Sequence, residues 1–205
     1  MADVKITDLT AASTPLAGTE LFETVQGGTS KKVAASDIGN SADALPYASL
    51  TGRAYLQAYS AIDQTGSTGA ATAAIIGTTD ISSGITMANN GSGNATRLTF
   101  AAAGTYAIMP SVQVANSGAS DYDVTFWFRK NGTDIAASAT TLTVPKASDG
   151  GQTFFQIVFY NTVTAGQYIE LMWLPENTAV TLDYIAAGAI APAVPSVIMC
   201  AERIA

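Results

Sequence analysis

The sequence contains no histidine and a single cysteine, Cys200. One cysteine cannot form a disulfide within the chain, which excludes the disulfide-stapled scaffolds. Zinc sites usually draw several ligands from cysteine and histidine, so we expect no metal site. Catalytic triads that use imidazole as the base are impossible without histidine. We therefore expect no enzymatic activity and no cofactor.

Charge is also scarce in this chain. Charged residues make up 12% of it, about half of the usual quarter. The 16 acidic residues outnumber the 9 basic ones, and the net charge of −7 disfavours nucleic acid, whose phosphates require cations. Apolar runs stay below the roughly 18 residues of a membrane span, and residues 1–5 do not resemble a secretory signal. The sequence therefore predicts no nucleic-acid partner, no membrane partner and synthesis in the cytoplasm.

Short alternating segments dominate the chain from about residue 67 onward. Residues 121–130, for example, alternate between bulky apolar and more polar side chains, which is the period of a β-strand. Asn131-Gly132 is the strongest short hairpin signal in the sequence. Residues 154–163 and 167–174 are predicted to pair around Ala165-Gly166. About nine or ten such strands with hardly any helical period predict an all-β antiparallel sandwich, a jelly roll or a barrel.

Composition divides the chain into three parts. Residues 1–45 contain one aromatic residue, Phe22. Within them, the pattern predicts a hairpin in which the strand 19–26 pairs with the strand 29–34. A two-stranded hairpin is marginal alone in water, so this segment is expected to dock onto another surface. Residues 46–66 are interpreted as a connector with a first strand, and residues 67–205 as a β-rich knob.

Some predicted strands carry bulky apolar residues on both faces. The run 154–160 is the clearest case, with six apolar or aromatic side chains around Gln156. One face of such a strand fills the core of its own subunit. The other face must be covered, and a sister subunit is the economical cover. The sequence therefore predicts an oligomer.

Few carboxylates suggest chemistry. Asp121 and Asp123 share a strand face and fit either a cation site or an acid–base pair, but glycosidase carboxylates normally lie on separate elements across a cleft. We favour a polar loop that enters a strand. Glu170 lies on a mostly apolar face and is expected at an edge, or paired with Arg97 or Arg129.

The tryptophans have two possible roles, and the cysteine has one expected role. Trp127 and Trp173 would stack on sugars if they were exposed, but their apolar neighbours favour packing in the core or in an interface. Cys200 belongs to the apolar final strand and is predicted to be a buried, inert thiol. Lys31-Lys32 is too small a patch for nucleic acid and suits the edge of a hairpin.

Three motifs in order resemble the tumour-necrosis-factor and complement-type jelly roll. They are Gly-Thr-Tyr at 104–106, Phe-Trp-Phe-Arg-Lys-Asn-Gly at 126–132 and Ala-Gly-Gln-Tyr-Ile-Glu-Leu-Met-Trp at 165–173. The resemblance covers residues 54–205 and implies a compact homotrimer whose axis is lined by aromatic and aliphatic strand faces. The trimer-interface candidates on this basis are Tyr55, Tyr59, Phe126 and Tyr160.

A second resemblance covers about residues 4–39. The segments Ile-Thr-Asp-Leu at 6–9, Leu-Ala-Gly-Thr-Glu-Leu-Phe-Glu-Thr-Val-Gln-Gly-Gly at 16–28 and Ser-Lys-Lys-Val at 30–33 look like the opening segment of many tailed-bacteriophage virion proteins. In such proteins the N-terminal segment attaches to the particle and the C-terminal domain projects. The capsid-anchor candidates are the apolar residues Leu9, Leu16, Leu21, Phe22 and Val25.

Together the resemblances imply a non-enzymatic virion surface protein made in the host cytoplasm. Our first hypothesis is a homotrimeric capsid decoration or cement protein, of the head-fibre type, that docks on the major capsid protein or another virion protein. The alternative is a short tail fibre or receptor-binding tip whose loops 89–95 and 146–152 contact host-surface glycans. A third reading, a cell-wall or polysaccharide hydrolase, is disfavoured by the missing histidine and the lack of a convergent carboxylate pair.

Overall fold

In the computed structural model of the chain, residues 21–26, 29–34 and 53–205 are described. The chain divides into two compact units, Met1–Gly52 and Arg53–Ala205. In the first unit, β1 (Leu21–Gln26) pairs in antiparallel fashion with β2 (Thr29–Ala34), which confirms the predicted hairpin. The predicted turn at 27–28 lies outside the described residues.

The second unit is built almost entirely of strands. In chain order they are β3 (Tyr55–Ser60), β4 (Gln64–Thr65), β5 (Thr72–Ala73), β6 (Thr78–Ser83), β7 (Ile85–Asn89), β8 (Ala95–Phe100), β9 (Gly104–Asn116), β10 (Tyr122–Lys130), β11 (Thr133–Asp134), β12 (Thr140–Val144), β13 (Gln152–Gln156), β14 (Phe159–Val163), β15 (Tyr168–Pro175), β16 (Val180–Leu182) and β17 (Val197–Arg203). Within residues 53–205, helical structure is limited to one 3-10 turn, Ala147–Asp149. No helix of the described residues has the length and hydropathy needed to cross a membrane.

These strands form two antiparallel sheets that the chain visits alternately. The seven-stranded sheet has the order β11-β10-β15-β8-β7, with β12 beside β10 and β5 beside β15. The eight-stranded sheet has the order β4-β16-β9-β17-β3-β6, with β13 and β14 beside β9. The connections β8–β9, β9–β10, β12–β13 and β14–β15 all cross between the sheets, which is the winding of a jelly roll. The predicted all-β antiparallel jelly-roll sandwich is therefore confirmed.

Aromatic stacks join the two sheets across the core. The three central inward residues of β10, Val124, Phe126 and Phe128, are at most 1% exposed, while its outward positions are more accessible, as the alternation predicts. Phe126 stacks on Phe155 of β13 with ring centroids 4.6 Å apart. Phe128 stacks on Phe159 of β14 at 4.4 Å. Each such pair contributes about 0.5–1.5 kcal/mol beyond the burial of its area.

Two turns require backbone conformations that few residues adopt. Asn131 and Gly132 have φ angles of 47° and 83°, and positive values at both central positions are what a type I′ hairpin turn needs. The hairpin predicted there is therefore confirmed. Gly84 has a φ of 66° and carries the chain from β6 in one sheet to β7 in the other. A Cβ atom at Gly84 would also lie 3.0 Å from the Cβ of Ala54, so glycine is needed for space as well.

The predicted pairing of 154–163 with 167–174 is wrong. β13 and β14 both pair with β9, whereas β15 pairs with β10, β8 and β5 in the opposite sheet. The turn between them exists, with Gly166 at a φ of 80°, but it joins the two sheets instead of reversing the chain within one. A turn signal specifies local backbone geometry and leaves the hydrogen-bonding partner open.

The strand directions define two ends of the sandwich. β3 leads away from Arg53, and its last residue, Ser60, pairs with Val197 at the start of β17. We call the end at Arg53 the near end and the opposite end the far end. The registers of β7 with β8, of β10 with β12 and of β9 with β13 bring loops 90–94 and 145–151 to the far end. The turn at 131–132 lies at the near end.

Candidate functional site

The outer surface of the eight-stranded sheet is the strongest candidate site. Its residues follow from the strand registers, which align outward-facing side chains from β13 and β14 across β9, β17 and β3 to β6. We call this surface the outer sheet face. Its aligned rows are Tyr160–Ala107–Glu202–Tyr55–Ser83, then Met109–Cys200–Gln57–Ile81, then Gln156–Ser111–Ile198–Tyr59–Thr78, and Phe154–Gln113.

Large apolar side chains on this face remain accessible to solvent. Phe154 is 64% exposed, Tyr160 60%, Ile81 54% and Tyr55 44%. Among the residues of the rows, Glu202 alone carries a charge. Aromatic surface of this extent on a subunit with few charges is typical of a surface that another molecule covers.

The outer surface of the seven-stranded sheet has a different character. The Thr125 and Thr141 hydroxyls lie 2.8 Å apart across β10 and β12. The Arg129 Nε donates to the Asp134 Oδ1 at 2.8 Å. Polar side chains that bond one another in this way suit contact with water. The contrast between the two surfaces indicates which one an oligomer would bury.

The four predicted interface residues do not all lie on one surface of the structure. Tyr55 and Tyr160 are exposed on the outer sheet face, and Tyr59 is half-buried there. Phe126 points into the core of its own subunit with 0% exposure and stacks on Phe155. The prediction that Phe126 lines a subunit axis is therefore wrong, because its side chain is packed between the two sheets of its own subunit.

Several members of the outer sheet face were not among the predicted interface residues. They are Ile81, Met109, Phe154 and Ile198. The run 154–160 gave a signal, since apolar residues at adjacent positions must point to opposite faces of a strand. The run could not reveal which of its two alternating sets of side chains points away from the core. Phe155 turned out to be inside and Phe154 outside.

Cys200 lies on the same face. Its neighbours Met199 and Ala201 are buried in the core, while Cys200 is only partly buried and faces away from it. The prediction of a thiol inside the core is thus wrong, since alternation along β17 turns it outward. Partial burial still raises the pKa of the thiol by disfavouring the charged thiolate.

Alkylation of Cys200 should therefore require a higher pH than alkylation of an ordinary thiol. We expect the midpoint of the rate-against-pH curve to lie above about 8.5, the usual value for cysteine. The measurement is the initial rate of iodoacetamide labelling from pH 7 to pH 10. The urea-unfolded chain is the control, and equal midpoints for the folded and unfolded chains would contradict the argument.

The capsid-anchor candidates lie in the first unit. Leu21, Phe22 and Val25 are on β1. Leu9 and Leu16 lie outside the described residues. Their role as anchors stays a prediction.

Asp121 and Asp123 each accept a hydrogen bond within the fold. The Asp121 Oδ1 accepts a hydrogen bond from the Lys146 backbone N–H at 2.8 Å. The Asp123 Oδ1 accepts from the Thr143 hydroxyl at 2.6 Å. Among the described residues no group of three or more acidic or sulfur side chains is arranged to hold a metal ion. These contacts agree with the polar-loop interpretation.

Glu170 makes one of its two expected pairs. It is 6% exposed, accepts from the Thr96 hydroxyl at 2.7 Å and pairs with the Arg97 Nε at 3.4 Å. Arg129 is engaged by Asp134 instead. Arg97 also lies 4.3 Å from the centre of the Tyr168 ring. The arrangement is a structural polar cluster at the junction of β8 and β15.

Comparisons with known proteins give a fold likeness only. No protein-family model matches the chain, and no curated protein matches it. A crystal structure of murine APRIL at pH 8.5 is 8% identical, with 74% of this chain and 99% of that chain covered and a TM-score of 0.46. A structure of murine APRIL at pH 5.0 gives the same values. At this level of similarity neither a partner nor an activity is transferred.

Proposed function

We propose that this chain is a non-enzymatic structural protein of a tailed-bacteriophage virion, a homotrimer that decorates and cements the capsid. The observation that carries the proposal is the outer sheet face, which presents exposed aromatic side chains on a chain with little charge. The resemblance of residues 4–39 to the opening segments of virion proteins supplies the attachment to the particle.

The energetics favour burial of the outer sheet face between subunits. Covering the exposed part of one aromatic side chain removes on the order of 100 Å² from water, which contributes about 2–3 kcal/mol. Phe154 and Tyr160 together therefore supply several kcal/mol per subunit. The polar outer surface of the seven-stranded sheet stays in water in such an assembly.

Attachment is assigned to residues 1–45. A trimer presents three copies of this segment, so weak single contacts act together through their effective concentration. Each trimer would bridge neighbouring capsid subunits. Stabilisation of the shell follows from this bridging, since the shell cannot open there without breaking several contacts at once.

A truncation separates attachment from folding. We expect a variant that lacks residues 1–45 to keep its β-sheet circular dichroism and its trimeric mass, because the core lies within Arg53–Ala205. It should lose attachment to virions almost completely. The measurement is co-sedimentation of the purified protein with virions that lack it.

The full-length chain is the positive control in this assay. Retained attachment of the truncated variant would contradict the anchor role. Gold labelling of the same particles reports location, since a decoration protein would cover the head and a fibre would mark the tail.

The second candidate function is a receptor-binding tip. The supporting observation is that loops 90–94 and 145–151, which overlap the segments 89–95 and 146–152 first considered for glycan contact, both lie at the far end of the sandwich. Copy number distinguishes the two functions, because a capsid decoration protein is far more abundant in a virion than a fibre.

A further inference from the structure

Trp127 is held on the outer surface of the seven-stranded sheet by a specific hydrogen bond. Its Nε1–H donates to the Asp134 Oδ1 at 2.8 Å. The same oxygen accepts from the Arg129 Nε at 2.8 Å. The hairpin at 131–132 brings Asp134 opposite Arg129 in the β10–β11 register. The indole is therefore fixed in direction before any ligand arrives, which reduces the entropic cost of binding.

The indole is partly exposed, and its neighbour across the β10–β15 register, Met172, is buried. A partly accessible aromatic ring therefore lies beside a carboxylate and a guanidinium on this surface.

We propose that Trp127, Arg129 and Asp134 form a binding site for a neutral hexopyranose. A pyranose ring has an apolar C–H face bordered by hydroxyl groups. Its C–H face would lie on the indole, which offers a broad apolar surface with a fixed geometry. Its hydroxyls would donate to Asp134 and accept from Arg129, because a carboxylate is an acceptor only and a guanidinium a donor only.

Charge selects the class of sugar. The Asp134 side chain is 57% exposed in its pair with Arg129, and the chain carries a net charge of −7. The ion pair is neutral as a whole, so the net negative charge of the chain is what disfavours an acidic sugar, and a neutral sugar is unaffected by it. Hydrogen bonds from Arg129 and from Trp127 favour the ionised carboxylate of Asp134 and lower its pKa.

This site goes beyond the proposed capsid role and does not depend on it. The three residues belong to one subunit and lie away from the outer sheet face. Assembly and sugar binding are measured separately. Sedimentation shows whether the chain is a trimer or a monomer, and fluorescence and calorimetry show whether it binds a sugar.

Intrinsic fluorescence tests the proposal with the full chain. Of the two tryptophans, Trp173 is 0% exposed, so a change on adding sugar reports on Trp127. The probes are lactose, maltotriose and chitotriose as neutral sugars and sialyllactose as the acidic one. We expect a saturable change with at least one neutral sugar and a dissociation constant on the order of 1 mM. Calorimetry of the same titrations gives a readout that does not need the indole.

Three variants and one control variant locate the site. By calorimetry, Trp127→Ala should weaken binding at least about 10-fold, Trp127→Phe should weaken it less because it keeps a ring face, and Phe154→Ala on the opposite sheet should leave it unchanged. Asp134→Asn should weaken binding while circular dichroism stays native. No saturable binding of the neutral probes up to about 10 mM, binding unaffected by Trp127→Ala, or preference for sialyllactose would overturn the proposal.

Discussion

We expect the natural chain to sediment as a trimer at micromolar concentrations and the double variant Phe154→Asp/Tyr160→Asp to sediment as a monomer. The two aromatic side chains are 64% and 60% exposed in the isolated subunit. Loss of their burial removes about 5 kcal/mol per subunit, and the new carboxylates would have to be desolvated in the interface. The dissociation constant should rise about 1,000-fold or more.

A matched variant on the opposite sheet controls for the added charge. Thr86→Asp/Thr141→Asp places two separated charges on exposed positions of β7 and β12 at the polar outer surface of the seven-stranded sheet and should leave the trimer intact. Cys200 supplies an internal reporter, because dissociation should speed its alkylation. A natural chain that sediments as a stable monomer, or equal masses for the two double variants, would refute burial of the outer sheet face.

Phe126→Ala should have the second large effect, and it should act on folding. The side chain is 0% exposed and stacks on Phe155 between the sheets. Its removal leaves a cavity in the core, which costs about 3–5 kcal/mol of unfolding free energy. That is a large fraction of the roughly 5–15 kcal/mol that holds a typical domain together. Urea denaturation followed by circular dichroism measures the loss.

Tyr160→Ala is the control for the core variant. In the dissociated subunit, its unfolding free energy should change by less than about 1 kcal/mol, because the side chain is mostly in water already. The expected pattern is thus reversed between the two residues. Phe126→Ala weakens the fold, and Tyr160→Ala weakens assembly. A Phe126→Ala chain of unchanged stability would contradict the core assignment.

Local patterns in the sequence predicted local structure well. The alternation over 121–130 predicted both the strand β10 and the separation of its two faces. Asn131-Gly132 predicted the hairpin, and the structure shows positive φ at both positions, which few other residue pairs accept. These signals are short-range, so they survive any rearrangement of the rest of the chain.

Long-range pairing was not predictable in the same way. The turn at 165–166 reads like a hairpin, yet β14 and β15 belong to different sheets. Phe126 and Tyr160 were both predicted to line a subunit interface, yet one is in the core and the other is largely in water. Cys200 sits in an apolar strand, yet it points outward. Alternation with a period of two means that neighbouring side chains lie on opposite faces of the sheet, but it does not specify which face is turned toward the core.

Alternation, turn chemistry and composition specify an antiparallel β-sandwich with tight glycine turns and too little charge to keep every face in water. These features can be recognised within a few residues of the chain. The sheet that each strand joins, the aromatic residues that fill the core and the hydrogen bond from Trp127 to Asp134 on an accessible surface follow from the folded structure alone. Those outcomes depend on contacts between residues far apart in the chain, whose free energies are settled by the packing of the whole sandwich.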